Sequence, residues 1–124
     1  MRGAWIAALL ALAGCSSKSE APPSGQTVSS ADVAAAREVF ATRCAACHGA
    51  RGRGDGPASQ SLTPRPRDFH DKDWQRQIAD ERIERTVQFG GASMGKSVAM
   101  PANPDLSTPV VRALRDHIRA LARD

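Results

Sequence analysis

Residues 42–56 read TRCAACHGARGRGDG, and the spacing inside this stretch decides how the rest of the chain folds. Cys44 and Cys47 stand three apart, His48 follows directly, and a run of glycine and arginine comes next. A disulfide between the two cysteines would close only a tiny loop and add little stability. Structural zinc needs four ligands, usually from two such pairs, and the sequence holds no second pair. A thioredoxin-like thiol pair belongs beside a strand–helix–strand pattern, which is absent. What remains is Cys-x-x-Cys-His, the attachment pattern for c-type haem. Near a helix end, positions i and i+3 face the same way, so Cys44 and Cys47 can each form a thioether to one vinyl group. His48, one residue on, is then placed to reach the iron as its proximal ligand. The motif occurs once, giving one covalently attached haem c per chain.

Working outward, SSADVAAAREVFATRCAACH carries Val33, Ala36, Val39 and Phe40 at the spacing of one helix face. Ser29 and Asp32 form a capping-box pattern at its start. The stretch DERIERTVQFGG predicts a second helix, with Asp80 as its cap, Ile83 and Val87 on one face, and Gly90-Gly91 as its stop. TPVVRALRDHIRALAR predicts a third, with Thr108 as N-cap, Pro109 at the first helical position, and Val110, Leu114, Ile118 and Leu121 along one side. No alternating strand pattern occurs, so the fold class is all-α.

Residues 49–79 are crowded with Gly, Pro and charge, and a loop of that length needs something to organise it. The core is thin too: two tryptophans, three phenylalanines and no tyrosine. Small domains with so little apolar material usually need a staple. A haem burying roughly 400 Å² of apolar surface, at about 25 cal/mol/Å², contributes on the order of 10 kcal/mol, comparable to the stability of a whole small domain. One macrocycle therefore accounts for both the loop and the thin core.

The 124-residue chain has room for one domain and flanking sequence. Residues 1–14 have a basic start at Arg2, an apolar run too short to span a bilayer, and small residues at the end, the layout of an export signal. LAGC, ending at Cys15, resembles the lipobox of bacterial lipoproteins, which implies lipidation of Cys15 and a periplasmic protein anchored to a membrane. Residues 15–30, rich in Ser and Pro, read as a flexible tether, leaving 31–124 as the folded domain. Removing Arg2 with the signal lowers the formal charge from +4 to +3, too mild and too evenly spread for nucleic acid. Arg51, Arg53, Arg65 and Arg67 form a local excess of positive charge, read equally as a solvated loop.

Several segments, in order, now carry a resemblance: VFATRCAACHG, GDGP, GGASMGKSVAMP and VVRALRDHIRAL. Together they resemble the class I cytochromes c, over about residues 33–121. That resemblance implies helices and long loops wrapped around the haem, with a methionine as second axial ligand. Met100, followed by Pro101, fits the family's distal position; Met94, followed by Gly95, reads as a gap-filling contact over the haem edge. It also implies that the Pro57 carbonyl receives the Nδ1–H of His48, while Arg67 and Trp74 are candidates to hydrogen-bond the haem propionates. His70 reads as a surface histidine. His117 falls where the family often has an aromatic residue packed on the first helix.

With both iron faces taken, the implied activity is one-electron transfer by a carrier, not an enzyme. Redox proteins would be its donor and acceptor. Two alternatives stand beside it: a fixed haem subunit of a larger oxidase or dehydrogenase, and a haem sensor or peroxidase whose methionine leaves the iron.

Overall fold

The computed structural model describes residues 27–123. The expected signal, Cys15 and the tether up to residue 26 lie outside the described residues. Helix α1 spans Ser30–Val39 and runs without a break through a π-helical turn, Phe40–Cys44, into α2, Ala45–His48. A 3₁₀ turn, Pro57–Ser61, and helix α3, Lys72–Gln77, punctuate the long loop. Helix α4 covers Asp80–Ser93 and α5 covers Thr108–Leu121. The described residues contain no strand, in keeping with the all-α class.

Local chemistry sets most of these boundaries. Ser29 and Asp32 make the full capping box at α1, each side chain accepting from the other's backbone amide. Asp71 caps α3 by accepting from the amides of Asp73 and Trp74, both at 3.0 Å. That short helix escapes a periodicity reading, because six residues give too little pattern. Two caps differ from expectation. Ala79, not Asp80, precedes α4, and Asp80 instead receives Arg115 and Arg119 from α5. Ser107 precedes α5 and makes no side-chain cap, with Pro109 still in the first turn. In α4 the regular helix breaks at Gly90 (φ +80°), a left-handed backbone that favours glycine, before one further turn.

The core lies where α1 and α4 pack on α5. Ala36 and Phe40, Ile83 and Val87, and Val111, Leu114, Ile118 and Leu121 are all buried there, joined by Phe69 from the loop. Each fully buried side chain of this size stabilises the fold by roughly 1.5–3 kcal/mol. Val33, assigned to the apolar face of the first helix, is instead exposed, and Val28 packs against the core from ahead of α1. The His117 ring meets Phe40 edge-on at 4.6 Å, so the α1–α5 crossing keeps an aromatic contact with histidine in place of the family's aromatic residue. Among the described residues no helix is long and apolar enough to cross a membrane.

Candidate cofactor-binding site

The attachment residues sit where the helix changes character. The π turn ends at Cys44, Cys47 lies one short turn on, and His48 closes α2 before Gly49. π turns inside helices are frequent at functional sites because the extra residue re-aims the following side chains. The loop then folds back to satisfy the open helix end: the Gly54 amide donates to the His48 carbonyl at 2.8 Å and the Gly56 amide to Cys47 at 3.1 Å. The glycine-rich run is therefore a brace under the motif, and the RGD triplet within it is loop geometry.

Cys44, Cys47 and His48 line one cavity of about 320 Å³ together with Met100, Arg67 and Trp74. Apolar walls come from Phe40, Phe69, Ile83, Val87, Leu114 and Ile118, so the void opens directly into the core. Both thiols are free and half-buried. Burial pushes the Cys44 thiol above its ordinary range, with the neighbouring Arg43 acting against that shift. For His48, burial pushes the imidazole down, while its hydrogen bond to the Arg67 carbonyl (3.1 Å) acts in the other direction. A carbonyl only accepts, so Nδ1 carries the proton and the neutral ring presents the Nε2 lone pair. That is the tautomer that leaves Nε2 free to bind a metal.

The partner of Nδ1 corrects one expectation. Arg67 supplies the carbonyl, not Pro57. Pro57 opens the 3₁₀ turn, is exposed, and does not line the cavity. The long loop brings a second proline-rich stretch, TPRPRDF, under the imidazole, and residues 66–69 take the place assigned to 57. Arg67 thus contributes its backbone as well as its side chain. Its guanidinium lies 5.6 Å over the Trp74 ring and 3.5 Å from Asp71. Trp74 is half-buried and packs on Phe69.

Met94 and Met100 part company. Met100 lines the cavity; Met94 does not, and lies instead beside a shallow surface hollow with Arg82, Arg85 and Ser93, so it fills no gap over the cofactor. The Met100 loop is pinned on both sides. Gly91 donates to the Met100 carbonyl at 3.0 Å, and Lys96 donates to Gly91 at 2.8 Å. Asn103, buried, donates through Nδ2 to the Val87 carbonyl at 2.9 Å and accepts from Arg43 at 3.4 Å. Arg43 also forks onto Asp105 at 3.0 and 2.9 Å, joining the residue before Cys44 to the segment after Met100.

Arg43, Arg65, Arg82 and Lys96 also line the cavity, and sequence reasoning singled out only Arg65 among them. Arg51 and Arg53 do not line it. His70 turns its Nε2 to the Arg51 carbonyl at 2.7 Å, serving the loop. Among the described residues no group of three or more His, Cys, Asp or Glu side chains could hold a metal ion, so the cysteine pair has no zinc-like surroundings.

The site is thus a core-facing void carrying two thiols and a neutral imidazole on one helix end, with a thioether in the wall. Such a void fits a flat apolar macrocycle held by thioethers, and the fold around it is that of an all-α c-type haem protein. The family model described as Cytochrome c matches residues 33–122, and the chain belongs to that family. It binds covalently attached haem c and serves haem-based electron transfer. No curated protein matches the chain.

Proposed function

We propose that this chain is a membrane-tethered periplasmic electron carrier whose haem iron is ligated by His48 and Met100. The observation that carries this reading is the shared cavity: Cys44, Cys47, His48 and Met100 come from two distant segments and line one void. Bound haem supplies one reversible electron between iron(II) and iron(III). The residues do the rest. Cys44 and Cys47 fix the macrocycle, the Arg67 carbonyl holds the His48 tautomer, and the pinned loop keeps Met100 in place, so little has to rearrange when the charge changes.

Five basic side chains line the cavity and no acidic residue does. Asp105 and Asp71 pair with Arg43 and Arg67, and Arg67 and Trp74 remain the candidates for the propionates. Residual positive charge at the mouth suits a redox partner with an acidic face, attracted in a salt-dependent manner. Lipidated Cys15 and a tether of about fifteen residues would confine the carrier near a membrane and raise the effective concentration of its partners.

Met100→Ala in the haem-loaded protein tests the ligand set. Loss of the Fe–S charge-transfer absorption is expected; an unchanged distal ligand field would overturn the assignment. Slow carbon monoxide binding to the native reduced protein is expected as well, and rapid binding would favour the sensor or peroxidase reading. Mass spectrometry of the mature N-terminus should find acylated Cys15; an unmodified terminus elsewhere removes the anchor.

A further inference from the structure

We propose that Phe69 is a positioning residue for the axial imidazole: its ring face sets the plane of His48 and favours the oxidised site. The inference rests on His48 being the proximal ligand. The two rings lie nearly parallel, 16° apart with centroids at 4.6 Å. Phe69's other aromatic contacts are both tilted, 53° to Phe40 and 37° to Trp74. Packing alone therefore does not align this ring with its neighbours; the alignment is specific to His48.

Phe69 is built as a fixed platform. It is 6% exposed, its amide donates to the Gly52 carbonyl at 2.7 Å, and its carbonyl accepts from Gln75 Nε2 at 2.8 Å. Phe40 and Trp74 flank the ring, so it cannot swing away. The bond from His48 Nδ1 to Arg67 fixes where one edge of the imidazole points but leaves the ring free to tilt about that axis. The stacked phenyl face removes that freedom. Arg67 and Phe69, two residues apart, thus supply the two restraints.

The face also has an electrostatic effect. An aromatic face is the negative side of its quadrupole and attracts positive charge. When the site gives up one electron, one positive charge is added at the metal, and the bound imidazole takes a share of it. A phenyl face stacked on that imidazole stabilises the oxidised state more than the reduced one, which lowers the reduction potential. An aliphatic residue of similar bulk would not.

The test compares haem-loaded Phe69→Leu and Phe69→Tyr with the parent by redox titration, low-temperature electron paramagnetic resonance and proton NMR with labelled histidine. Phe69→Leu is expected to raise the potential and shift the g values of the low-spin ferric signal; Phe69→Tyr, which keeps the face, is expected to stay near the parent. If Phe69→Leu fails to mature, Phe69→Met fills the space and reads the same quantities. Unchanged g values, or a potential that does not rise while the hyperfine-shifted His48 signals persist, would overturn the proposal. Absence of those signals from the parent protein would sink the proximal assignment itself, so the two failures are read separately.

Discussion

The amide of Gly91 donates to the carbonyl of Met100 at 3.0 Å, fastening the loop of the proposed distal ligand to the end of the helix it follows. The approach is close enough that a Cβ on residue 91 would overlap the Ser97 carbonyl oxygen and stand 3.2 Å from the Met100 Cβ. Gly91→Ala must therefore push the loop outward. We expect overpacking to cost about 1–3 kcal/mol and the Fe–S charge-transfer band to weaken, while the thioether-bound haem is retained. Absorption spectra and denaturant titration of the purified variant measure both.

Asn103 anchors the same loop from its far side. Asn103→Ala leaves the buried Val87 carbonyl without its donor, a loss of about 1–3 kcal/mol. Because the amide of residue 103 still donates to the Gln88 carbonyl at 3.0 Å, the loop should loosen without detaching. Faster carbon monoxide binding to the reduced variant than to the parent is the expected sign. Identical rates would mean that Asn103 serves stability alone.

Much of this arrangement is legible in the residues themselves. Cys-x-x-Cys-His names its chemistry by spacing, and the apolar stripe Leu114, Ile118 and Leu121 turns inward as its periodicity predicts. Gly90-Gly91 also marks where regular helix ends. What escapes is whatever depends on the route of the long loop. The π turn at Phe40–Cys44 has no local pattern, and α3 is too short to show one. Pro57 is the natural choice for the imidazole's partner from its place in GDGP, yet the path of the loop brings the Arg67 carbonyl there instead. Phe69, with no helical period around it, gives no hint in sequence that it faces His48. Cross-links such as Arg43 to Asp105 join residues 62 apart, beyond the reach of any local rule.

Removing the cofactor should remove the fold. Without the macrocycle, the core side chains that wall the void of about 320 Å³, among them Phe40, Phe69, Ile83, Val87, Leu114 and Ile118, face water in place of an apolar surface. The double variant Cys44→Ala, Cys47→Ala, expressed where haem cannot stay bound, is expected to lose most of its far-ultraviolet helix signal and its cooperative thermal transition. A cooperative, fully helical apoprotein would show that the other buried side chains suffice.

Asp105 gives a pH prediction. Its hydrogen bonds from Arg43 hold the carboxyl below its ordinary value of 3.8, so the folded state has the lower pKa. The stabilisation is therefore present above the unfolded-state pKa and disappears as pH falls through the folded-state value. Asp105→Asn should be less stable than the parent near neutrality, and the two should converge in acid once pH has fallen through the folded-state value. Added salt should narrow the gap near neutrality, because the pair is exposed. Denaturation midpoints across pH and salt measure it.

Arg119 ties α5 to the end of the long loop with a single side chain. Its guanidinium donates to the Gln75 carbonyl and side-chain oxygen (2.6 and 2.9 Å), to the Ile78 carbonyl (2.7 Å) and to Asp80 (2.8 and 2.6 Å). Two of those acceptors are main-chain oxygens around the end of α3. Arg119→Met keeps the aliphatic bulk and removes every donor, so the loss should come from the stranded acceptors, about 2 kcal/mol. Arg119→Lys should recover only part, because a point-like ammonium cannot serve the Gln75, Ile78 and Asp80 oxygens in the geometry of a planar fork. Arg119 does not line the cavity, so the absorption spectrum and reduction potential of the folded variants should match the parent. A spectral change in Arg119→Met would show instead that the α3–α5 junction supports the haem pocket, by way of Gln75 and its bond to the Phe69 carbonyl.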